Sequence, residues 1–188
     1  MGSEVKTEDS FAAAGLRMLK GCGDPSAYIP PIVAGQVASC PPEEGRIEVQ
    51  VGIEDPCLLE KANAGWYRLS IEAGLFSEAE RRFMVAFTPN ENSPSRWICV
   101  ELQESWDVMG QGASGPLGSG YCRPEFLMHS LDGAVLCCGT TYQYSIGVFT
   151  LRDPRRSQVL SRSAEYVATG EIGHPVESAS ARSWLAMP

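Results

Sequence analysis

The sequence is poor in groups that do chemistry. Two histidines, His129 and His174, are all it has. No apolar run approaches the roughly 20 residues of a membrane-crossing helix, which argues against membrane insertion. No cysteine–histidine spacing matches a structural zinc site, and Cys137-Cys138 are adjacent, so on a strand their thiols would point to opposite faces. No metal and no cofactor is expected. Positive charge is also short, with 15 Lys and Arg against 23 Asp and Glu and a net charge of −8. A chain of that sign has no broad field to draw phosphate backbones, so nucleic acid is not expected as a partner. The Gly-Ala-Ser-Gly-Pro-Leu-Gly-Ser-Gly stretch at 112–120 lacks the Gly-Lys-Ser/Thr ending of a phosphate-cradling loop and leads into no helical pattern.

What is present is alternation. Residues 96–103 place Ile98, Val100 and Leu102 on one side and Trp97, Cys99, Glu101 and Gln103 on the other, the period of a half-buried strand. Runs of the same kind occur at 46–53, 65–73, 82–88, 126–129, 134–139 and 141–151, with weaker ones at 32–39, 158–160 and 164–169. Turn residues separate them. The cluster at 89–95 between two alternating runs predicts a hairpin, and Asp132-Gly133 is a second turn signal.

This pattern predicts an all-β fold: an antiparallel β-sandwich or jelly-roll-like domain with long loops, or else a partly open β-barrel. The domain spans 32–169. Residues 1–31 are an N-terminal arm with a short helix at 11–20 and a linker containing Asp24-Pro25 and Pro30-Pro31, and 170–188 are a C-terminal tail. Trp66 and Trp97 fall on outer strand faces, and Tyr142 and Tyr144 on a core face. Seven cysteines, an odd number, sit partly within apolar runs, where cysteine acts as a small hydrophobe. That usage favours a reducing compartment, and the expected location is the cytoplasm or a virion surface.

For function, the scarcity of acid–base groups favours a non-enzymatic recognition or structural module. Its partner-facing surface is placed on the 104–123 connection, which exceeds ordinary loop lengths. Trp106, Tyr121 and Arg123 bracket the glycine-rich stretch and offer rigid contact area to a protein or a glycan. A loop-decorated β profile of this kind is compatible with surface-projecting domains of viral coats. The outward tryptophans and the N-terminal helix make a homodimer the expected assembly. The competing reading is a cysteine-dependent hydrolase, with Cys122 as nucleophile, His129 as base and Asp132 as orienter. The ordinary account of those residues is a loop cysteine and a surface histidine.

Overall fold

The computed structural model describes residues 2–22, 28–90 and 92–187, with side chains from residue 7 onward. The Asp24-Pro25 part of the expected linker and Glu91 of the expected turn cluster lie outside the described residues. The chain order is α1 (Gly2–Ala13), β1 (Leu16–Leu19), α2 (Pro31–Ala34), β2 (Arg46–Gly52), α3 (Leu58–Ala73), β3 (Arg82–Phe87), β4 (Arg96–Leu102), β5 (Phe126–His129), β6 (Val135–Thr141), β7 (Ser145–Arg152), α4 (Gln158–Thr169) and α5 (Pro175–Ala186). The seven strands form one antiparallel sheet in the order β1-β4-β3-β5-β6-β7-β2.

The expected β-sandwich is therefore overturned, and with it the barrel: this is a mixed α/β fold in which helices cover both faces of one open sheet. Phe83, Val85, Val100, Met128, Cys137 and Val148 pack on one face with Trp66 and Leu69 of α3 and Phe11 of α1. On the other face Met84, Trp97, Cys99, Leu136, Cys138, Phe149 and Leu151 pack under Val33 of α2, Leu160 and Ala164 of α4, and Trp184 of α5. Because both faces of the inner strands are covered, Trp97, Cys99 and Phe149, which lie opposite the expected core side of their strands, are core too. Trp97 is only 9% exposed, and its indole N–H donates to the Ile29 carbonyl at 2.7 Å. The viral-coat analogy rested on an all-β profile and does not survive the helices.

Four of the expected strands, 32–39, 65–73, 158–160 and 164–169, are helical. Residues 65–73 lie in α3, whose buried positions Ala62, Gly65, Trp66, Leu69, Ser70 and Ala73 follow the helical spacing, so that Trp66 is fully buried. Gly74 closes α3 in the left-handed region at φ 89°. The 158–169 segment is α4, capped where the Ser157 hydroxyl accepts from the Leu160 N–H, and the expected strand at 32–39 is divided between α2 and a 3₁₀ turn, Val37–Ser39. Within the expected tail, α5 begins with Pro175 and a capping box between His174 and Glu177. The helix expected at 11–20 lies earlier, as α1, and residues 16–19 are instead strand β1.

The expected β3–β4 hairpin is present, with Phe83 opposite Val100 and Phe87 opposite Arg96, and so is the β5–β6 hairpin around Asp132-Gly133. Tyr142 and Tyr144, expected in the core, stand exposed in the β6–β7 turn. Cys99, expected to act as a small apolar side chain, is joined to Cys22 by a disulfide that ties the end of β1 to β4. No helix among the described residues is long and apolar enough to cross a membrane.

Candidate functional site

The centre of the sheet contains a seam. β3 runs to Phe87 and β5 starts at Phe126, yet only Met84↔His129 and Val85↔Met128 pair between them. Beyond those pairs the two strands part. The gap is a cavity of about 400 Å³ lined by Ala86, Phe87, Thr88 and Ser95 from the β3–β4 side and by Glu125, Phe126 and Leu127 from the β5 side. Gly115, Pro116 and Gly118 of the long connection complete its wall. A second cavity, of about 190 Å³, lies on the far side of Phe87 and includes Lys20 and Arg96.

The connection that closes the seam is built in two halves. Its first half is held down. Asp107 caps a five-residue π-helical turn, Val108–Gly112, by accepting the N–H groups of Gly110 and Gln111, and it also accepts from the Asn63 amide on α3. Burial works against the Asp107 charge, but the bonds from Asn63, Gln111 and Gly110 outweigh it and hold the carboxyl below the usual carboxylate range. Val108, Met109 and Leu117 are core residues. The second half is a small hairpin. Gly118 bridges Pro124, the Glu125 N–H donates to the Leu117 carbonyl, and the Ser119 N–H donates to the Arg123 carbonyl. At position 118 a side chain would meet the Ala113 carbonyl oxygen at 1.8 Å, so the two halves can close on each other only through a glycine. At the tip, Tyr121 and Cys122 both adopt left-handed backbone, φ 55° and 54°, which is uncommon for non-glycine residues.

The three expected contact residues separate. Trp106 is half-buried, stacked on Tyr67 at 5.4 Å between ring centroids and set edge-on to Trp66 at 5.1 Å. Tyr121 is 96% exposed at the tip of the small hairpin, with exposed Arg123 two residues on. These two project from the hairpin whose base walls the seam cavity, whereas Trp106 packs beneath α3.

Cys122 and His129 are not brought together. The Pro124 carbonyl, beside the Cys122 turn, accepts from the Thr141 hydroxyl at the far end of β6, while His129 pairs with Leu136 near the β5–β6 turn. Five residues of extended β6 separate those points, roughly 16 Å. His129 is buried between Tyr28, 5.1 Å away, and Trp97, 5.5 Å away, with Nδ1 unpartnered. Burial pushes its pKa down to about 4. Asp132 accepts from the Ser130 hydroxyl at 2.6 Å and from the Ala134 N–H, as a turn former. Among the described residues no group of three or more His, Cys, Asp or Glu is placed to hold a metal ion.

The seam itself escaped the sequence. Thr88 and Ser95 read as the ends of a turn cluster, and they do hydrogen-bond to each other at 2.5 Å. Pro124, directly before Glu125, was the one available signal, because proline cannot donate to a ladder and marks where β5 begins to pair. Comparison of the chain with protein-family models, with curated proteins and with solved structures gives no match.

Proposed function

We propose that this chain is a non-catalytic recognition module that takes an extended peptide of a partner protein at the β3–β5 seam, with Tyr121 and Arg123 as outer contacts. The observation that carries the reading is the early end of the β3–β5 ladder over a 400 Å³ cavity. The cavity presents strand backbone, the apolar Phe87, Phe126 and Leu127, the Thr88–Ser95 hydroxyl pair and the Glu125 carboxylate, which accepts from Thr140 at 2.7 Å. Strand backbone with small side-chain pockets suits an extended chain, which gains affinity from main-chain hydrogen bonds and selectivity from its side chains. A sugar would call for an open aromatic platform, and the cavity's own rings are half-buried or buried.

The test is selection from a displayed library of random extended peptides, followed by affinity measurement on wild type, Thr88→Arg and Tyr121→Ala/Arg123→Ala. Thr88 is exposed, so the arginine fills the cavity mouth without entering the core. Peptides with an apolar anchor should be selected, and each variant should weaken them at least tenfold, about 1.4 kcal/mol. Selection of no peptide, retention by a glycan array instead, or indifference to Thr88→Arg would sink the reading, and turnover of any bound peptide would move it to the enzyme class.

Self-association into a homodimer is the second part of the proposal. Trp66 and Trp97 are both buried and cannot supply its surface, so the support must come from elsewhere on the sheet.

A further inference from the structure

Strand β2 ends the sheet, and no strand among the described residues pairs with its outer edge; of the outward main-chain groups the Gly52 carbonyl, at the strand's end, accepts the Asp55 N–H at 3.0 Å. The ladder with β7 is unbroken from Arg46↔Leu151 to Gly52↔Ser145 and continues as Ile53 N–H to the Tyr144 carbonyl at 2.9 Å. In an antiparallel ladder, alternate residues turn their main-chain groups to the same neighbour. Since Ile53 bonds toward β7, so do Ile47, Val49 and Val51. Arg46, Glu48, Gln50 and Gly52 turn theirs outward. Proteins usually blunt such an edge with charged side chains, a proline or a bulge. Over these seven residues β2 has no proline, lysine or bulge, and its two charged side chains, Arg46 and Glu48, are paired with each other at 2.7 Å. Large apolar side chains cluster around it instead: Ile47 is 44% exposed, Ile53 39% and Tyr144 75%.

The strand is also complementary to itself. Turned about a two-fold axis through Val49, Arg-Ile-Glu-Val-Gln-Val-Gly brings Ile47 opposite Val51, Val49 opposite Val49 and Glu48 opposite Gln50. Apolar residues meet apolar ones on the α3 side, where Val49 already packs against Gly65. Polar residues meet polar ones on the side where Arg46 pairs with Glu48 at 2.7 Å and Gln50 bonds Glu48 at 3.3 Å. No like charges are opposed. The register also places the outward-turned main chains of Glu48 and Gln50 opposite each other, as hydrogen-bonded pairs require. Moving the axis to Glu48 would set two carboxylates face to face.

We propose that β2 is the contact between two copies of this chain, paired antiparallel about Val49 so that the two sheets run on as one of fourteen strands (twice the seven of each copy). This rests on the self-association reading and assigns its surface.

The experiment is sedimentation of the full chain from micromolar to several hundred micromolar, wild type against Gln50→Pro. The Gln50 N–H turns outward, so proline there removes an edge donor and no β7 bond. Wild type should reach the dimer mass, and Gln50→Pro should stay monomeric with unchanged circular dichroism. A wild type that is monomeric throughout overturns the inference together with self-association. A dimer that persists in folded Gln50→Pro overturns the β2 contact alone. Should that variant misfold, Val49→Cys decides, in a Cys57→Ser/Cys122→Ser background that removes the exposed thiols. Opposed residues of a non-hydrogen-bonded pair lie about 4.5 Å apart at Cα, within disulfide reach. Oxidation should give a cross-linked dimer, and its absence would overturn the contact.

Discussion

Asn63 and Asp107 are bound to each other across 44 positions of sequence, the Asn63 amide donating to the Asp107 carboxylate at 2.8 Å. The same Asn63 side chain accepts the Met109 N–H at 3.0 Å, so one residue of α3 fastens both the cap and the first turn of the long connection. Asn63→Ala removes both bonds. It should cost about 2–3 kcal/mol, one bond being to a charged acceptor, and peptides selected at the seam should bind more weakly as the wall loosens. Urea unfolding and peptide titration of the same variant check the two halves of this expectation. A loss of stability under ~0.5 kcal/mol would show that the connection is anchored elsewhere.

His129 makes stability depend on pH. Its folded pKa is lowered to about 4, mainly because burial disfavours the charged ring, whereas the unfolded value is near 6.5. The folded state therefore refuses a proton that the unfolded chain accepts. The stabilising contribution is whole above pH 6.5 and is lost as pH falls toward 4, reaching about 3 kcal/mol. Between pH 7 and pH 4.5 wild type should lose more stability than His129→Leu, so that the urea midpoints of the two diverge once their offset at neutral pH is subtracted. Parallel pH profiles in the two proteins would refute this.

The Cys22–Cys99 bond closes a sequence separation of 77 residues. Constraining the unfolded chain over such a loop is worth roughly 2–4 kcal/mol. Thermal melting with and without a reductant should show a fall of several degrees for wild type and none for Cys22→Ala, which should melt with the reduced protein. Equal melting of wild type in both conditions would mean that the bond adds nothing to folding.

Gly139 sits on β6 where a methyl group would meet the Phe126 ring at 2.3 Å. Gly139→Ala therefore drives Phe126 from its place in the seam wall. Overpacking of this kind costs about 1–3 kcal/mol. Peptide affinity should fall with it, more than in a control destabilised equally at Val167 on the other face of the sheet. Equal losses of affinity in the two variants would separate Phe126 from the site.

The central hairpins were legible because alternation and turn residues agree there: Phe83, Val85 and Phe87, the 89–95 cluster, then Ile98, Val100 and Leu102. The helices were not, for reasons visible in individual residues. In α3, Leu69 and Ala73 satisfy a period of two and a helical period alike. Trp66 and Tyr67 favour a strand by propensity, whereas the buried set also takes in Ala62, Gly65 and Ser70, which only a helical period joins. In α4, Leu160, Ala164 and Val167 are too few to outweigh the short flanking runs, although Ser157 and Gly170 stood at its ends as cap and stop. Of the proposed site, loop length and composition single out Tyr121 and Arg123, which stand exposed at the hairpin tip. The seam was invisible because it arises from a ladder that stops after two pairs, and no local pattern records where two distant strands diverge.

Strand order sets the order of synthesis against the order of assembly. The five inner strands all come from residues 82–152, whereas both outermost strands, β1 and β2, lie in the first 52 residues. A growing polypeptide thus releases its two borders, and α3 with them, before any template for them exists. β2 must wait until β7, almost a hundred residues later, has emerged. Contacts so distant along the chain close slowly. Pulsed hydrogen exchange during refolding should protect β3 to β7 before β2, and simultaneous protection would contradict that sequence of events. During translation the exposed β2 edge is then an unpaired ribbon, free to meet the same ribbon on a neighbouring nascent chain before its own sheet is complete.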